Sequence, residues 1–283
     1  MPLAVACVQF SPGNDMDSNL EMARILIVDA VSQGAELIAL PEFAAFLDRN
    51  GHAMSRAARD ESGHAALIHF EKLARQLNVW IMVGSLVVRD DANSGCLFNR
   101  SYAITPKGQV AARYNKIHMF DAMLPNGGSV RESKAYCPGS HAVIVHLSQA
   151  AVGLSICYDL RFPSLYLKLA RNGAEIIMVP SAFSYETGQA HWLPLLQARA
   201  IENGCFVIAA ATCGTHPGGW RTWGHSVIID PWGKIIEQAK DKPGLVTATL
   251  DLEAVRHARQ MIPSLSNQRK FDILHEYPSK PIT

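Results

Sequence analysis

A cysteine stands where a strand-forming run ends and a segment that cannot continue the strand begins. Cys157 closes the apolar run 151–157 and is followed at once by Tyr158-Asp-Leu-Arg-Phe-Pro163. Such a strand-to-loop corner is a position where α/β enzymes hold a nucleophile. A free thiol with a pKa of about 8.5 is mostly protonated at neutral pH, so it needs a nearby base or cation to react.

Two other segments end in the same way, with an ionisable side chain just past an apolar run. Glu42 closes the segment 36–42, and Lys116 closes the segment 110–116. Strands of one sheet that end at the same edge bring such residues together, and ligands bind there in α/β sheets. A charge at Glu42 is costly unless it is paired, and we expect Lys116 to be its partner. A carboxylate, an amine and a thiol together predict acyl transfer.

Four separated motifs, in this order, resemble those of the nitrilase superfamily of carbon-nitrogen hydrolases. The motifs are Leu40-Pro-Glu42-Phe, Tyr114-Asn-Lys116-Ile-His, Gly153-Leu-Ser-Ile-Cys157-Tyr-Asp-Leu-Arg161-Phe-Pro and Trp223-Gly-His-Ser226. The resemblance runs from about residue 3 to about residue 272. It implies a four-layer αββα sandwich, whereas the sequence pattern alone supports only an α/β fold.

The resemblance also implies a role for each of the three residues and adds a fourth. Cys157 would be the nucleophile, Glu42 the general base and Lys116 the group that stabilises the oxyanion. Glu132, in the long irregular stretch 117–140, resembles the additional glutamate that orients the lysine and the incoming amine. The alternative is that Glu132 is an exposed charged residue on a loop. Whether the resting cysteine is a thiol or a thiolate stays open at this stage, because two carboxylates oppose the thiolate and the lysine favours it.

Four further residues are candidate substrate contacts. The backbone amide of Tyr158 would help the lysine to stabilise the oxyanion. Arg161 could bind a substrate carboxylate through two hydrogen bonds, or it could form an internal ion pair with Asp159 or another acid. Through the likeness of segment 181–192 to the branch that hydrolyses small ω-amides, Phe183 and Thr187 would line the acyl pocket.

Two stretches narrow the resemblance to one branch of the family. Segments 187–202 and 209–214 look most like those of deaminated glutathione amidases. The predicted activity is therefore that of a cysteine-dependent amidase that releases ammonia or an amine from a small carboxylate-bearing amide through a thioester. The alternative is an omega-amidase that acts on α-ketoglutaramate or α-ketosuccinamate.

Composition excludes several other classes of protein. The chain has 283 residues, of which 48% are hydrophobic and 18% charged, with a formal net charge of +1. This composition favours a small-molecule partner over nucleic acid or a membrane. The six cysteines show neither disulfide-scaffold nor zinc spacing, so we expect them to be reduced and the protein to be cytoplasmic. No phosphate-binding glycine loop or metal-binding histidine cluster is present, so no cofactor or metal is expected.

Strand and helix patterns alternate along the whole chain. Strands are predicted at about 3–10, 36–41, 79–88, 97–104, 141–147, 151–157, 175–180, 205–212, 225–230 and 245–250, and helices at about 17–33, 63–77, 163–172 and 189–203. No repeat or linker divides the chain, so 1–283 is predicted to be one domain. The C-terminal tail, about 263–283, is expected to extend along the body or along a partner subunit of a homodimer or higher oligomer.

Two rival classes make different predictions. A binding or scaffold protein that keeps the fold without turnover would have lost one of the three required residue types. A thiol-redox protein or a cysteine-histidine hydrolase would show Cys-x-x-Cys or a histidine at a comparable strand end, and neither pattern occurs.

Overall fold

Two six-stranded sheets make up the centre of the molecule. The computed structural model describes residues 2–48, 51–90, 96–123 and 128–276. In spatial order, the first sheet contains β16 (Gly244–Asp251), β1 (Pro2–Gln9), β2 (Leu37–Ala39), β3 (Trp80–Asp90), β4 (Cys96–Ile104) and β5 (Val110–Asn115). The second contains β15 (Ile235–Gln238), β14 (Val227–Ile229), β11 (Phe206–Ala209), β10 (Ile176–Met178), β9 (Ala151–Leu154) and β8 (Ile144–His146).

Two short hairpins, seven α-helices and three short 3-10 helices complete the described elements. The hairpins are β6 (Asp121–Met123) with β7 (Ser129–Arg131), and β12 (Cys213–Thr215) with β13 (Arg221–Trp223). The helices are α1 (Met16–Ser32), α2 (Gly51–Ala57), α3 (Ala65–Leu77), α4 (Pro163–Arg171), α5 (Tyr185–Asn203), α6 (Glu253–Met261) and α7 (Ser264–Asn267).

The two faces of β1 show how the layers are arranged. Val5 and Cys7 belong to a core that also contains residues of the second sheet and of α4 and α5. Ala6 and Val8 belong to a separate core with residues of α1 and α3. Because successive side chains of a strand point to opposite faces, the first sheet lies between its helices and the second sheet. The αββα sandwich is therefore confirmed.

Helices α1, α4 and α5 begin or end at residues that are suited to helix termini. Asp15 precedes α1 and its carboxylate accepts from the backbone N–H groups of Asp17 and Ser18. Pro163 opens α4, where a missing N–H is harmless. α5 ends at Gly204 with φ of 54°, a left-handed conformation that glycine adopts freely.

Several short elements were not predicted from the sequence. They are α2, α6, α7, β12, β13 and β15, and the hairpin β6–β7 lies inside the stretch 117–140, whose sequence pattern is irregular. Strands of three or four residues are too short to show a period-two pattern. The stretch 117–140 also contains the turn sequence Pro125-Asn-Gly-Gly128, and residues 125–127 of it lie outside the described residues.

The first part of the C-terminal tail contacts the body. The carbonyl oxygen of Leu265, in α7, accepts from Arg171 of α4 at 3.0 Å, and the hydroxyl of Ser264 donates to the carbonyl oxygen of Glu202 at 3.0 Å. Residues 268–276 are exposed, and residues beyond 276 lie outside the described part. Across the described ranges, no helix combines the length and apolar character needed to cross a bilayer.

Buried thiols should make the fold sensitive to alkali. Burial raises the pKa of Cys205 and of Cys213 to about 11. An acid whose pKa is higher in the folded state stabilises the fold below its unfolded pKa, about 8.5, and loses this contribution as the pH rises towards the folded value. We expect the free energy of unfolding, measured from urea midpoints, to be level near pH 7.5 and to fall by about 1–2 kcal/mol per thiol by pH 10. The double variant Cys205→Ala, Cys213→Ala is the control, and an unchanged pH dependence in it would contradict this assignment.

Candidate active site

Glu42 lies just beyond the end of β2, in a sharp turn that the neighbouring strand makes possible. The following residue, Phe43, has φ of 56°, and its N–H donates to the hydroxyl of Ser85 at 3.0 Å. A Cβ atom on Gly84 of β3 would collide with the backbone of Leu40 and Pro41. Glycine is therefore required at residue 84, because it lets this turn approach β3 closely.

Lys116, which follows β5, is held between two carboxylates. Its Nζ lies 3.0 Å from Oε1 of Glu42, and 3.0 and 2.9 Å from Oε1 and Oε2 of Glu132. The side chains of Lys116 and Glu42 are each 2% exposed, and that of Glu132 is 8% exposed. The expected pairing of Glu42 with Lys116 is present, and Glu132 is a buried ion-pair partner rather than an exposed loop charge.

Backbone amides complete the coordination of the two carboxylates. Oε2 of Glu42 accepts from the N–H of Ala182 at 2.7 Å, and Oε2 of Glu132 accepts from the N–H of Phe120 at 2.6 Å. Such hydrogen bonds stabilise the ionised form of a carboxylate and fix its orientation. Both carboxylates are thus held on both sides, by the Lys116 ammonium and by a backbone donor.

Cys157 lies at the corner after β9 in a left-handed conformation, with φ of 46°. Its N–H donates to the carbonyl oxygen of Pro180 at 2.9 Å, and the charges of Glu42 and Lys116 both act on the pKa of its buried thiol. A non-glycine residue with positive φ costs free energy that the surrounding contacts must offset, and such residues cluster at functional sites. The structure therefore brings Cys157, Glu42, Lys116 and Glu132 into one buried cluster.

The corner is stabilised by a buried aspartate. Oδ2 of Asp159 accepts from the N–H of Ile156 at 2.9 Å and from the hydroxyl of Tyr114 at 2.7 Å. Oδ1 lies 2.7 Å from Nδ1 of His118 and accepts from its backbone N–H at 3.0 Å. Asp159 thus fastens the residue before the nucleophile to the residues on either side of Lys116.

The cluster joins two sheets, whereas the sequence pattern predicts that all three strand ends lie in one sheet. Glu42 and Lys116 follow strands of the first sheet, and Cys157 follows a strand of the second. The one-sheet expectation is wrong because strand ends of two facing sheets can open into the same cleft. The sequence marks where strands end, but it does not show which sheet each strand joins.

Burial and charge set the protonation of the cluster. Burial lowers the pKa of Lys116, but the negative charges of Glu132 and Glu42 outweigh it and hold that pKa well above its usual value. Burial and the charge of Glu42 raise the pKa of Cys157 well above its usual value, against the effect of Lys116. Both shifts act in the direction that favours an ammonium beside a neutral thiol.

Three of the predicted substrate contacts, Arg161, Phe183 and Tyr158, lie close to one another. The guanidinium of Arg161 lies 5.3 Å from the ring centroid of Phe183 and 5.9 Å from that of Tyr158. Among the described residues Arg161 forms no ion pair, because Asp159 bonds elsewhere; its nitrogen atoms lie 3.3 Å from Nδ1 of His191. The alternative of an Arg161–Asp159 pair is therefore wrong.

Phe183 and Thr187 differ in how closely the structure ties them to the cluster. Phe183 follows Ala182, the donor to Glu42, and its ring lies 5.2 Å from that of the fully buried Trp192. Thr187 lies in the first turn of α5, and its hydroxyl is 2.7 Å from that of Ser184.

A disulfide fastens the Glu132 segment to the first sheet. Cys96, the first residue of β4, is bonded to Cys137, and the N–H of Cys137 donates to the carbonyl oxygen of Leu97 at 2.8 Å. The expectation of six reduced cysteines is thus wrong for these two, while four cysteines are free. The pair is separated by 41 residues and follows no recognisable spacing, so the sequence gives no signal for it.

Sequence reasoning also missed contacts of two side chains. Asn99, in β4, donates from Nδ2 to Oε1 of Glu42 at 2.8 Å. Its sequence signal is weak, because Asn99 is followed in β4 by two further polar residues, Arg100 and Ser101. The role of Asp159 has no separate sequence signal, because a carboxylate two residues from a candidate nucleophile has several possible partners.

Comparison with known proteins gives consistent results. The model of the carbon-nitrogen hydrolase family matches residues 4–260. The chain is 40% identical over 269 residues to a deaminated glutathione amidase of Synechocystis sp. (strain PCC 6803 / GT-S), covering 94% of this chain and 98% of that one. It is 38% identical over 272 residues to the deaminated glutathione amidase of Mus musculus, covering 95% and 84% of the two chains.

Solved structures show the same likeness. The C. elegans NitFhit protein aligns with a TM-score of 0.88 and 34% identity over 95% of this chain, which spans 65% of the length of that longer protein. Nit3 of Saccharomyces cerevisiae, described as a member of branch 10 of the nitrilase superfamily, aligns with a TM-score of 0.86 and 27% identity, covering 95% and 97% of the two chains.

Proposed function

Because this chain belongs to the carbon-nitrogen hydrolase family, we propose that it hydrolyses the amide bond of a small carboxylate-bearing substrate through a thioester on Cys157. The observation that carries the proposal is the buried contact of Lys116 with Glu42 beside the Cys157 thiol. These three groups provide a nucleophile, a base and a cation in one cluster. A scaffold protein without turnover would have no need of this costly burial of charge.

In the first half of the reaction, the thiol attacks the amide carbon. Glu42 takes the thiol proton as the Cys157 Sγ–C bond forms, and negative charge develops on the carbonyl oxygen. The Lys116 ammonium and the backbone N–H of Tyr158 stabilise that charge. Glu42 then returns the proton to the nitrogen, the C–N bond breaks, and ammonia or an amine leaves with the acyl group bound to Cys157.

In the second half, water replaces the amine. Glu42 takes a proton from the water as its oxygen attacks the thioester carbon, and Lys116 again stabilises the oxyanion. The C–S bond breaks, the sulfur receives the proton, and the free acid leaves. Glu132 orients Lys116 during both halves, since it contacts the ammonium with both of its oxygens.

The substrate proposal rests on Arg161 and on the relatives. Arg161 presents a guanidinium beside Phe183, at the start of the segment that also holds Thr187. A guanidinium binds a carboxylate through two parallel hydrogen bonds, and Phe183 would pack against the aliphatic part of the acyl chain. With the relatives named for deaminated glutathione, we propose an acyl group that carries a carboxylate, and this amide as the first substrate to test.

Arg161→Met is expected to raise KM for a carboxylate-bearing amide about 10- to 100-fold with a smaller change in kcat, because a charge-assisted contact is lost while the nucleophile stays in place. Steady-state kinetics on a matched pair of substrates, one with the carboxylate and one with a methyl ester, would measure it. The exposed Arg256, which pairs with Glu253, gives the control variant Arg256→Met. An equal rise in KM for both substrates would remove Arg161 from the carboxylate site.

The overall proposal is tested by mixing the protein with deaminated glutathione and, separately, with α-ketoglutaramate. Intact mass follows the acyl adduct, and amine or ammonia release follows turnover. Faster formation and decay of the adduct with deaminated glutathione supports the proposal. Preference for α-ketoglutaramate would favour the omega-amidase, and no adduct or release with any amide would overturn both.

We further propose a homodimer, or a higher oligomer, in which the tail contributes to the contact. Phe271, Ile273 and Leu274 are each more than three-quarters exposed, and such apolar groupings mark interaction surfaces. Light scattering of the full chain and of a chain ending at residue 267 would test this; a full chain with the mass of a monomer would contradict it.

The four free cysteines favour a reducing compartment such as the cytoplasm, where the Cys96–Cys137 bond would form only transiently.

A further inference from the structure

Asn99 is a buried polar residue that touches three parts of the active-site cluster. It lies in β4, paired with Val87 of β3, and is 1% exposed. Its Nδ2 donates to Oε1 of Glu42 at 2.8 Å and to Oε1 of Glu132 at 3.3 Å. Its backbone carbonyl oxygen accepts from the N–H of Lys116 at 2.9 Å.

The contacts form a closed ring of alternating donors and acceptors. The same two oxygens that accept from Asn99, Oε1 of Glu42 and Oε1 of Glu132, each lie 3.0 Å from Nζ of Lys116. Lys116 therefore closes the ring from one side and Asn99 from the other. Removal of the amide would leave each Oε1 with the ammonium as its only ring donor, so each carboxylate would be held less firmly at that oxygen, although its Oε2 keeps a backbone donor.

The charge balance explains why an amide is suited to this position. Glu42 and Glu132 are two buried acids that share one ammonium, so they repel each other. A second cation would satisfy both carboxylates but would compete with Lys116 for them. The amide NH₂ offers two donors without a charge.

The amide oxygen of Asn99 carries a free-energy cost that packing does not explain. Among the described residues, Oδ1 of Asn99 is buried and has no hydrogen-bond partner. An unpaired buried acceptor destabilises a fold, and an apolar side chain of similar volume would avoid this. A residue that served packing alone would therefore not be an asparagine.

We infer that Asn99 is a positioning residue, whose side-chain amide holds Glu42 and Glu132 in fixed orientation around Lys116. The inference rests on the proposed function, because it assigns Asn99 a part in orienting the base and the lysine of that reaction. Asn99 acts through these neighbours and is not itself a catalytic residue.

The test compares Asn99→Leu, which keeps the volume and removes both the donors and the unpaired oxygen, with wild type. We expect a melting temperature equal to or above that of wild type, a kcat about 10- to 100-fold lower and a KM within about threefold. Asn99→Asp, which keeps the shape but adds a third carboxylate, should lose at least as much kcat. Asn203→Leu is the matched control: Asn203 is equally buried, but its amide donates to the carbonyl oxygen of Arg199 within α5.

A second measurement needs no amide substrate. The rate at which iodoacetamide alkylates Cys157, followed by intact mass, should fall about fivefold or more in Asn99→Leu, because the carboxylate that takes the thiol proton is held in a less fixed orientation. A kcat and an alkylation rate both within twofold of wild type would overturn the inference, as would losses that Asn203→Leu shares. If the wild type turns over no amide, the proposed function fails and the alkylation rates still decide the role of Asn99.

Discussion

Cys157→Ala is expected to lower the release of amine from the preferred amide by at least about 10⁴-fold, to the level of the assay blank. The proposed reaction forms a covalent bond to this sulfur, and no other described thiol is in the cluster: Cys7, Cys205 and Cys213 are buried in other parts of the described chain. Cys157→Ser should also be nearly inactive, because a hydroxyl is much harder to deprotonate than a thiol. Release of ammonia or amine under saturating substrate measures both variants.

Two controls separate loss of the nucleophile from loss of the fold. Cys213→Ala removes a different buried thiol and should keep kcat within about twofold of wild type. Intact mass should show an acyl adduct on the wild type and none on Cys157→Ala. Persistent turnover or an adduct in the alanine variant would place the nucleophile elsewhere and would end the proposed mechanism.

The positions of Cys157, Lys116 and Glu42 could be predicted because each follows a recognisable apolar run. A strand that ends beside an ionisable residue is a local signal, and the burial of a charge at Glu42 required a partner. The αββα sandwich arrangement has no such local signal, and it could be predicted only from the resemblance to the family. The assignment of these strand ends to one sheet failed because sheet membership depends on long-range pairing that no single segment reveals.

Glu132 and the residues that support the cluster carry weaker signals. Glu132 reaches Lys116 from the residue that follows the hairpin β6–β7, in a segment that lies against β4 at Cys137. None of these features follows from composition or periodicity. Ala182 contributes only its backbone N–H, which every residue except proline possesses, so no side chain could have identified it.

The single-domain assignment and the roles of the site residues stay predictions. The two sheets share a core, and their strand ends meet at the cluster, so separating the chain between them would expose both. One cooperative unfolding transition, with the same midpoint by tryptophan fluorescence and far-ultraviolet circular dichroism, is the expected behaviour of one domain. Two separated transitions would indicate independent units.

The second large effect is expected for Lys116→Ala, which should lower kcat/KM by about 10³-fold or more and also destabilise the fold. The activity falls because the developing oxyanion loses its ammonium. The stability falls because Glu42 and Glu132 remain buried, with the cation between them removed. Breaking a buried pair by removal of one partner typically costs about 3–5 kcal/mol, which urea unfolding would detect.

A double variant separates these two effects of Lys116. In Lys116→Ala, Glu132→Gln one of the two opposing carboxylates is neutral, so part of the lost stability should return. The activity should not return, because the glutamine supplies no charge for the oxyanion and the lysine is still absent. Recovery of both would mean that Lys116 serves the fold alone. A Lys116→Ala variant with full activity would favour a thiol-redox protein or a cysteine-histidine hydrolase, since neither requires an ammonium at this position.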